Sequence, residues 1–492
     1  MPASLLTDID IARAFVCPHW PYWERFGDPA LKREKDEASS HDLFEHLWME
    51  RELISKLAPE ALWIEGANAD ERATRTLDAM RLGVEAIAHP ALVSARGLGT
   101  PSLLLRTEGS SSFGSWAYAP IDIRRALTLR KDEVFRLSFY GELLRDIQGV
   151  YPTSLRVMNR DGETFQADAE AYADEYRDFM VKLERTIAGD CPLPVYRKGC
   201  EDTSPWGKAC KALAAERDDI ALLFSVTQKQ LQSLRSQGIE TVHQMADVDP
   251  IQLDGAAPGL TLRSLLRLQR QARSLIDQSV LVRDPWFEPA HTTDVFFDIE
   301  SHPGTDQDYL YGFLVRSQNN EATWHAINTL DGSSEADLWQ AFLSFIETLP
   351  PDYRVYHYGE YEYTRITTLA ARYQTVNNPW LLQFLDRLVD VKELVRESLV
   401  LPLFFYSLKT VGSFFGYHWR ESIRHGRDSV REYETWLTDQ RPEIAARLIS
   451  YNEDDVRGTA HIVDWARQWA MTEAVYTAPY PWTPESGTLN DV

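Results

Sequence analysis

Phe296-Phe297-Asp298-Ile299-Glu300-Ser301 is the stretch on which the fold turns. The run is apolar and β-forming, and in a strand residues two apart point to the same face, so Asp298 and Glu300 project together. Two carboxylates side by side repel unless a cation sits between them. Oxygen ligands of this kind suit Mg²⁺ or Mn²⁺, and a pair of such ions supports phosphodiester hydrolysis. A D-x-E pair also occurs as ordinary solvent-facing acids, so the surrounding sequence has to decide.

Downstream, Val355-Tyr356-His357-Tyr358-Gly359-Glu360-Tyr361-Glu362 runs from a strand into a helix and sets Glu362 at the helix start. Later, Tyr451-Asn452-Glu453-Asp454-Asp455 reads as the opening of a last long helix, with Tyr451 and Asp455 on one face at i, i+4. The elements between fit the same picture. Asp294–Glu300 and Tyr309–Arg316 read as neighbouring strands and Glu335–Thr348 as an amphipathic helix. Tyr353–Tyr358 reads as a strand and Tyr361–Tyr373 as a helix, followed by Leu381–Glu397, Ser407–Phe415 and the helix Ser450–Trp469. Early strands, then alternating helix and strand, predict a mixed sheet flanked by helices over residues 286–475. A tail rich in Pro, Thr and Gly, 476–492, is expected to be loosely ordered.

The order D-x-E, an acid after His-x-x-x-aromatic, and a late Y-x-x-x-D resembles the three motifs of DEDD 3′–5′ exonucleases. More closely, FFDIES, VYHYGEYE, LVDVKELVRESLVLP, YSLKTVGSFFGY and YNEDDV resemble the RNase H-like domain that follows a RecB-like domain in a bacterial nuclease family. The resemblance spans about Thr293 to Ala470, and it implies a two-metal mechanism. Asp298, Glu300 and Asp455 would hold one ion, Asp298 with Glu362 would place the second, and Tyr451 would orient the attacking water. Glu362 stands where the DEDD pattern carries Asp, and its longer side chain would shift one metal. Glu360 is the alternative acid. Asp390 reads equally as a further acid and as an ordinary acid at a helix N-terminus, and Lys409 is a candidate phosphate contact.

The first part of the chain, 1–215, reads as mixed α/β. Helical patterns cover Asp42–Leu57, Asp132–Ile147 and Ala169–Ile187, with strands at Ser102–Arg106 and Trp116–Arg124. It resembles the RecB-like PD-(D/E)xK domain of the same family, with its chemistry removed. Ser102 replaces the first acid, Arg124 replaces the catalytic lysine after Asp122, and Arg136 replaces Gln four residues before Tyr140. Arginine cannot give up its proton near neutral pH as a catalytic lysine can. This half is therefore expected to be inactive, a scaffold or a DNA-binding surface.

Residues 216–285 read as a helical hairpin linker resembling a helix-hairpin-helix: Gln228–Ser236, a turn at Gln237-Gly238-Ile239, and a helix from Val242 capped by Thr241. Cys17, Cys191, Cys200 and Cys210 are the chain's four cysteines. One cysteine near the start and three behind the nuclease core resembles the arrangement that holds a [4Fe–4S] cluster in one branch of RecB-like nucleases. The C-x₈-C-x₉-C spacing departs from the usual one, and Zn²⁺ or unrelated buried thiols stay open.

Composition bounds the rest. Hydrophobic content of 44% over 492 residues builds more than one core. A net charge of −23 speaks against nonspecific gripping of nucleic acid by the bare protein, although bound metals would supply positive field at an acidic site. No long apolar run predicts a membrane span, MPASLLTDIDIARAF lacks the pattern of a signal peptide, and a cytoplasmic protein is the expectation. The function expected is a metal-dependent nuclease acting on DNA or RNA, a 3′–5′ exonuclease, with a helicase or repair protein as partner. The rival is a catalytically inert nucleic-acid-binding scaffold built on two nuclease folds.

Overall fold

The computed structural model describes residues 5–469 and 476–477, apart from 34–36, 125–127, 197–199, 201–202, 283–290, 303, 320 and 421–425. The expected boundary at 285/286 and most of the expected tail, 478–492, lie outside the described residues. The chain forms two compact units, Met1–Glu216 and Arg217–Val492. No described helix is long and apolar enough to cross a membrane.

In the first unit a six-stranded sheet runs in the order Leu62–Trp63, Ala86–Ala88, Leu103–Ser111, Gly114–Ile123, Arg156–Met158, Thr164–Gln166. The helix Lys131–Gln148 packs on it through Val134, Phe135, Leu137, Phe139, Tyr140, Leu143 and Leu144, all buried. Gly149, at φ +80°, ends that helix in the left-handed conformation that glycine adopts without a Cβ penalty.

In the second unit, residues 217–282 carry four α-helices rather than a single hairpin. Gln228–Ser236 and Val242–Asp247 each begin in a reciprocal capping box, from Thr227 and Thr241, and Gly238 turns between them at φ +77°. The segment does not stand alone as a linker. Gln271, on the helix Leu262–Asp277, donates to the carbonyls of Leu401 and Leu403, and the strand Ser279–Val282 pairs with both Leu399–Val400 and Tyr476–Thr477.

The main sheet of this unit is five-stranded. Its strands are β1 (Thr293–His302), β2 (Gln307–Ser317), β3 (Ala322–Asn328), β4 (Tyr353–His357) and β5 (Leu388–Asp390). The order is β3-β2-β1-β4-β5, antiparallel on the β2 and β3 side and parallel on the β4 and β5 side. Its helices are α1 (Glu335–Glu347), α2 (Tyr361–Arg372), α3 (Pro379–Asp386), α4 (Val391–Ser398), α5 (Leu408–Phe414), α6 (Gly426–Asp439) and α7 (Pro442–Trp469). The pleat sorts β1 onto two faces. Val295, Phe297 and Ile299 pack against Trp339, Phe342, Leu369 and Phe384 of α1–α3, whereas Phe296 joins Leu314, Val456, Ala460 and Val463 on the α7 side. Asp298 and Glu300 follow Phe296 in alternation, so their carboxylates lie on the face that α7 covers.

Two expectations are corrected here. The stretch Leu381–Glu397 is two helices broken by β5, because Asn378 caps α3 ahead of Pro379, and Asp390 caps α4. The last helix begins at Pro442, not at Ser450, so Tyr451 and Asp455 sit mid-helix. Strand β3 and helix α6 were not foreseen.

The start of β1 is pinned by charge. Arg316 and Arg467 each reach Asp294, and the His291 ring bonds to it at 2.7 Å. Burial works to raise the Asp294 carboxyl, but the bonds from Arg467, His291 and Arg316 hold it well below the usual carboxylate range.

Candidate metal centre

Asp298, Glu300 and Asp455 each offer a carboxylate oxygen, and these oxygens lie within 4.8 Å of one another. Oxygen ligands stand about 2.1 Å from Mg²⁺, so two ligands of one ion are at most about 4.2 Å apart, and a small closure brings this trio onto an ion. Strand pleat places the first two side by side. Mid-helix position on α7 brings the third across from the opposite layer.

Neighbouring side chains fix each acid. Asn452 Nδ2 donates to Asp298 Oδ2 at 2.7 Å. Trp419 Nε1 donates to Asp455 Oδ1 at 2.6 Å. Ser429 Oγ, on α6, donates to Glu300 Oε2 at 3.2 Å, and the Tyr309 hydroxyl reaches the same oxygen at 3.4 Å. Glycines make room for these partners. Gly312 faces Asp298 in the β1–β2 register, and a Cβ there would collide with the Asn452 side chain and with Trp324. Gly412 and Gly458 form a slot for the Trp419 ring, which a Cβ at either would meet at 2.6 Å or 2.9 Å.

The electrostatics are those of carboxylates crowded together. Burial, then Glu300, Glu362 and Asp455, push the Asp298 carboxyl well above its ordinary value. Burial, then Asp455, push Glu300 up to about 8. Burial raises Asp455 too, against Lys409, Trp419 and Tyr451. Lys409 is the cation of the site. Its Nζ lies 3.3 Å from the Tyr451 hydroxyl and 4.4 Å from the Tyr451 ring centre. The donor set therefore fits a divalent cation, because hard oxygen ligands whose charges oppose one another gain most from one.

This arrangement has a measurable consequence for the metal-free protein. An unfolded glutamate titrates near pH 4.3, whereas Glu300 in the fold holds its proton to about 8. Between those values the folded state binds more protons than the unfolded chain, so stability falls as pH rises. Chelated protein is expected to melt at a lower temperature at pH 8 than at pH 6. Millimolar Mg²⁺ or Mn²⁺ is expected to raise the Tm more at the higher pH. A chelated Tm that does not move with pH would show that the carboxylates are not crowded.

Of the remaining expected positions, Glu362 is buried and lies on α2. It is close enough to perturb Asp298, yet it is not part of the trio, and its Oε2 bonds to His357 Nδ1 at 3.3 Å. Glu360 is exposed. Asp390 accepts from the Gly359, Lys392 and Glu393 amides, which is a cap and a tie between two loops. Tyr451 is buried and bonds to Asp455. Asn452, Trp419, Ser429 and Tyr309 were not anticipated.

In the first unit, Ser102, Asp122, Arg124, Arg136 and Tyr140 gather at one buried point. Arg124 and Arg136 both pair with Asp122 Oδ2, and Ser102 Oγ lies 3.4 Å from Oδ1. Tyr140 turns to Asp8, donating at 2.7 Å. Two guanidiniums thus stand beside the carboxylate that would face a cation. Among the cysteines, Cys17 and Cys210 are close, with Sγ atoms 3.5 Å apart, and Cys200 is in hydrogen-bonding contact with Cys17. Cys191 Sγ contacts the carbonyl of its neighbour Pro192 at 3.8 Å.

Residues 295–467 match the family model of the RNase H superfamily, so the second unit carries a C-terminal RNase H-like domain. The match encloses the acidic trio, and the superfamily points to nuclease-type activity on nucleic acid with divalent metal ions. No curated protein and no solved structure matches the chain.

Proposed function

We propose that the RNase H-like domain is a metal-dependent nuclease that hydrolyses phosphodiester bonds of DNA or RNA from the 3′ end. The observation that carries this reading is the convergence of Asp298, Glu300 and Asp455 on one face, beside Tyr451 and Lys409. Asp298, Glu300 and Asp455 would hold one divalent ion, and Asp298 with Glu362 a second. When bound, such ions lower the pKa of a water nucleophile and neutralise charge on the leaving oxygen. The chain's own residues do the positioning. Asn452 and Trp419 lock two carboxylates in place, so the site is organised before substrate arrives. The Tyr451 hydroxyl, held by Asp455, is set to orient the attacking water, and Lys409 supplies the positive charge that meets a phosphate.

The first unit is, in this proposal, a degenerate RecB-like domain in which Arg124 and Arg136 replace cation chemistry around Asp122. A second reading, an inert nucleic-acid-binding scaffold, draws on Glu362, whose carboxylate bonds to His357 and stays outside the trio. The two readings separate on 5′-labelled single-stranded DNA and RNA incubated with Mg²⁺ or Mn²⁺. A ladder shortening from the 3′ end, blocked by a 3′-terminal phosphorothioate and by chelator, is expected. Binding without cleavage of either nucleic acid would leave the scaffold reading standing.

A further inference from the structure

The four-thiolate cluster implied by the resemblance does not fit the first unit. In a [4Fe–4S] cluster each cysteine ligates a different iron, so the sulfurs are held apart around the cluster. Here Cys17 Sγ and Cys210 Sγ are 3.5 Å from each other. Two thiolates on one tetrahedral Zn²⁺, each at about 2.3 Å, stand about 3.8 Å apart. The compact set also contains a histidine. Cys17, His19 and Cys210 each offer a ligand atom within 4.8 Å of the others, all three are buried, and neither Cys191 nor Cys200 is in that set.

The geometry points to a mononuclear zinc site formed by Cys17, His19, Cys200 and Cys210. Cys17 follows the helix Asp8–Val16, His19 precedes the helix Trp20–Phe26, and Cys210 lies on the helix Gly207–Glu216. Cys200, with no exposed surface, is in hydrogen-bonding contact with Cys17 and would supply the fourth ligand by moving in from that contact. His19 is prepared as a ligand should be. Its Nε2 is 2.8 Å from the Pro192 carbonyl, which fixes the ring and leaves Nδ1 for the metal. Thiolates with an imidazole select zinc over the hard cations of the carboxylate site. Around this set the rings of Trp23 and Trp206 stack at 6.3 Å, and Trp206 Nε1 ties to Glu24 at 3.0 Å. Four protein ligands leave no open position, so the ion is structural. It fastens the beginning of the unit to its end, 193 residues apart from Cys17 to Cys210.

Full-length protein purified without chelator is expected to be colourless and to carry about one zinc ion per chain, released by a mercurial that titrates the thiols. Co²⁺ in its place is expected to give the visible bands of a tetrahedral, sulfur-rich site. His19→Ala and Cys210→Ser are expected to lose the ion, and Cys191→Ser to keep it. If the first two variants do not fold, the cobalt spectrum of the parent and the zinc content of Cys191→Ser decide by themselves. A brown protein whose iron and acid-labile sulfide disappear in Cys191→Ser would overturn the site in favour of a cluster. Protein that retains no metal after dialysis against Zn²⁺ would overturn it in favour of packed thiols. Metal content is the readout throughout, so neither result bears on the nuclease assignment.

Discussion

Asp298→Ala and Asp455→Ala are each expected to lower phosphodiester cleavage by roughly a thousandfold or more, which corresponds to about 4 kcal/mol of transition-state stabilisation. The reason is that each contributes one of the three oxygens that lie within 4.8 Å of one another, and no other described residue completes the trio. The fold is expected to survive. In the absence of metal these carboxylates oppose one another, so removing one relieves repulsion and the chelated variant melts no lower than the parent. Circular dichroism and a melting curve establish folding, and single-turnover cleavage at saturating Mg²⁺ reads the chemistry. Full activity in a clean, folded Asp298→Ala preparation would sink the nuclease proposal.

Asp122→Ala should behave in the opposite way. Asp122 is buried and accepts both Arg124 and Arg136, so its loss strands two guanidiniums in a site of low accessibility. Breaking a buried pair from one side costs about 3–5 kcal/mol, because the remaining charge is left without compensation. The first unit is expected to unfold at markedly lower denaturant. Cleavage per folded molecule, carried by the second unit, is expected to stay within about twofold of the parent, since substitutions at sites that share no partners act independently. A loss of activity comparable to that of Asp298→Ala, at equal folding, would show that the first unit retains chemistry of its own.

What could be read from sequence follows from where the physics is local. The D-x-E pair on β1 was legible because strand periodicity dictates which side chains share a face. The Thr241 cap was legible because a capping box is written in four consecutive residues. Strand β3 was not, since it lies at the sheet edge with exposed or half-exposed side chains, and its alternation of Ala322, Trp324 and Ala326 with Thr323 and His325 is short and weakly apolar. Helix α6 is mostly polar in sequence, and the buried Ser429, Tyr433 and Trp436 found their partners only through tertiary contact. The same holds inside the site. Asn452 and Trp419 are uncharged residues that touch the acids only once distant segments meet. Their one trace in the sequence is glycine where a side chain would be in the way, at 312, 412 and 458. His19 leaves no such trace, because a single Cys-x-His step gains its partner Cys210 only when the fold brings the two together.

A ribosome makes Asp298 long before it makes Asp455. The two are separated by 157 positions (455 − 298), and synthesis at about 5–20 residues per second puts roughly eight to thirty seconds between them. During that interval β1 can pair with β2 and β3, but the face that carries Asp298 and Glu300 has no α7 to cover it. The third carboxylate, the Tyr451 hydroxyl and the amide of Asn452 all arrive together on one helix. Assembly of the centre is thereby tied to near-completion of the domain, and a nascent chain holds only two of the three acids.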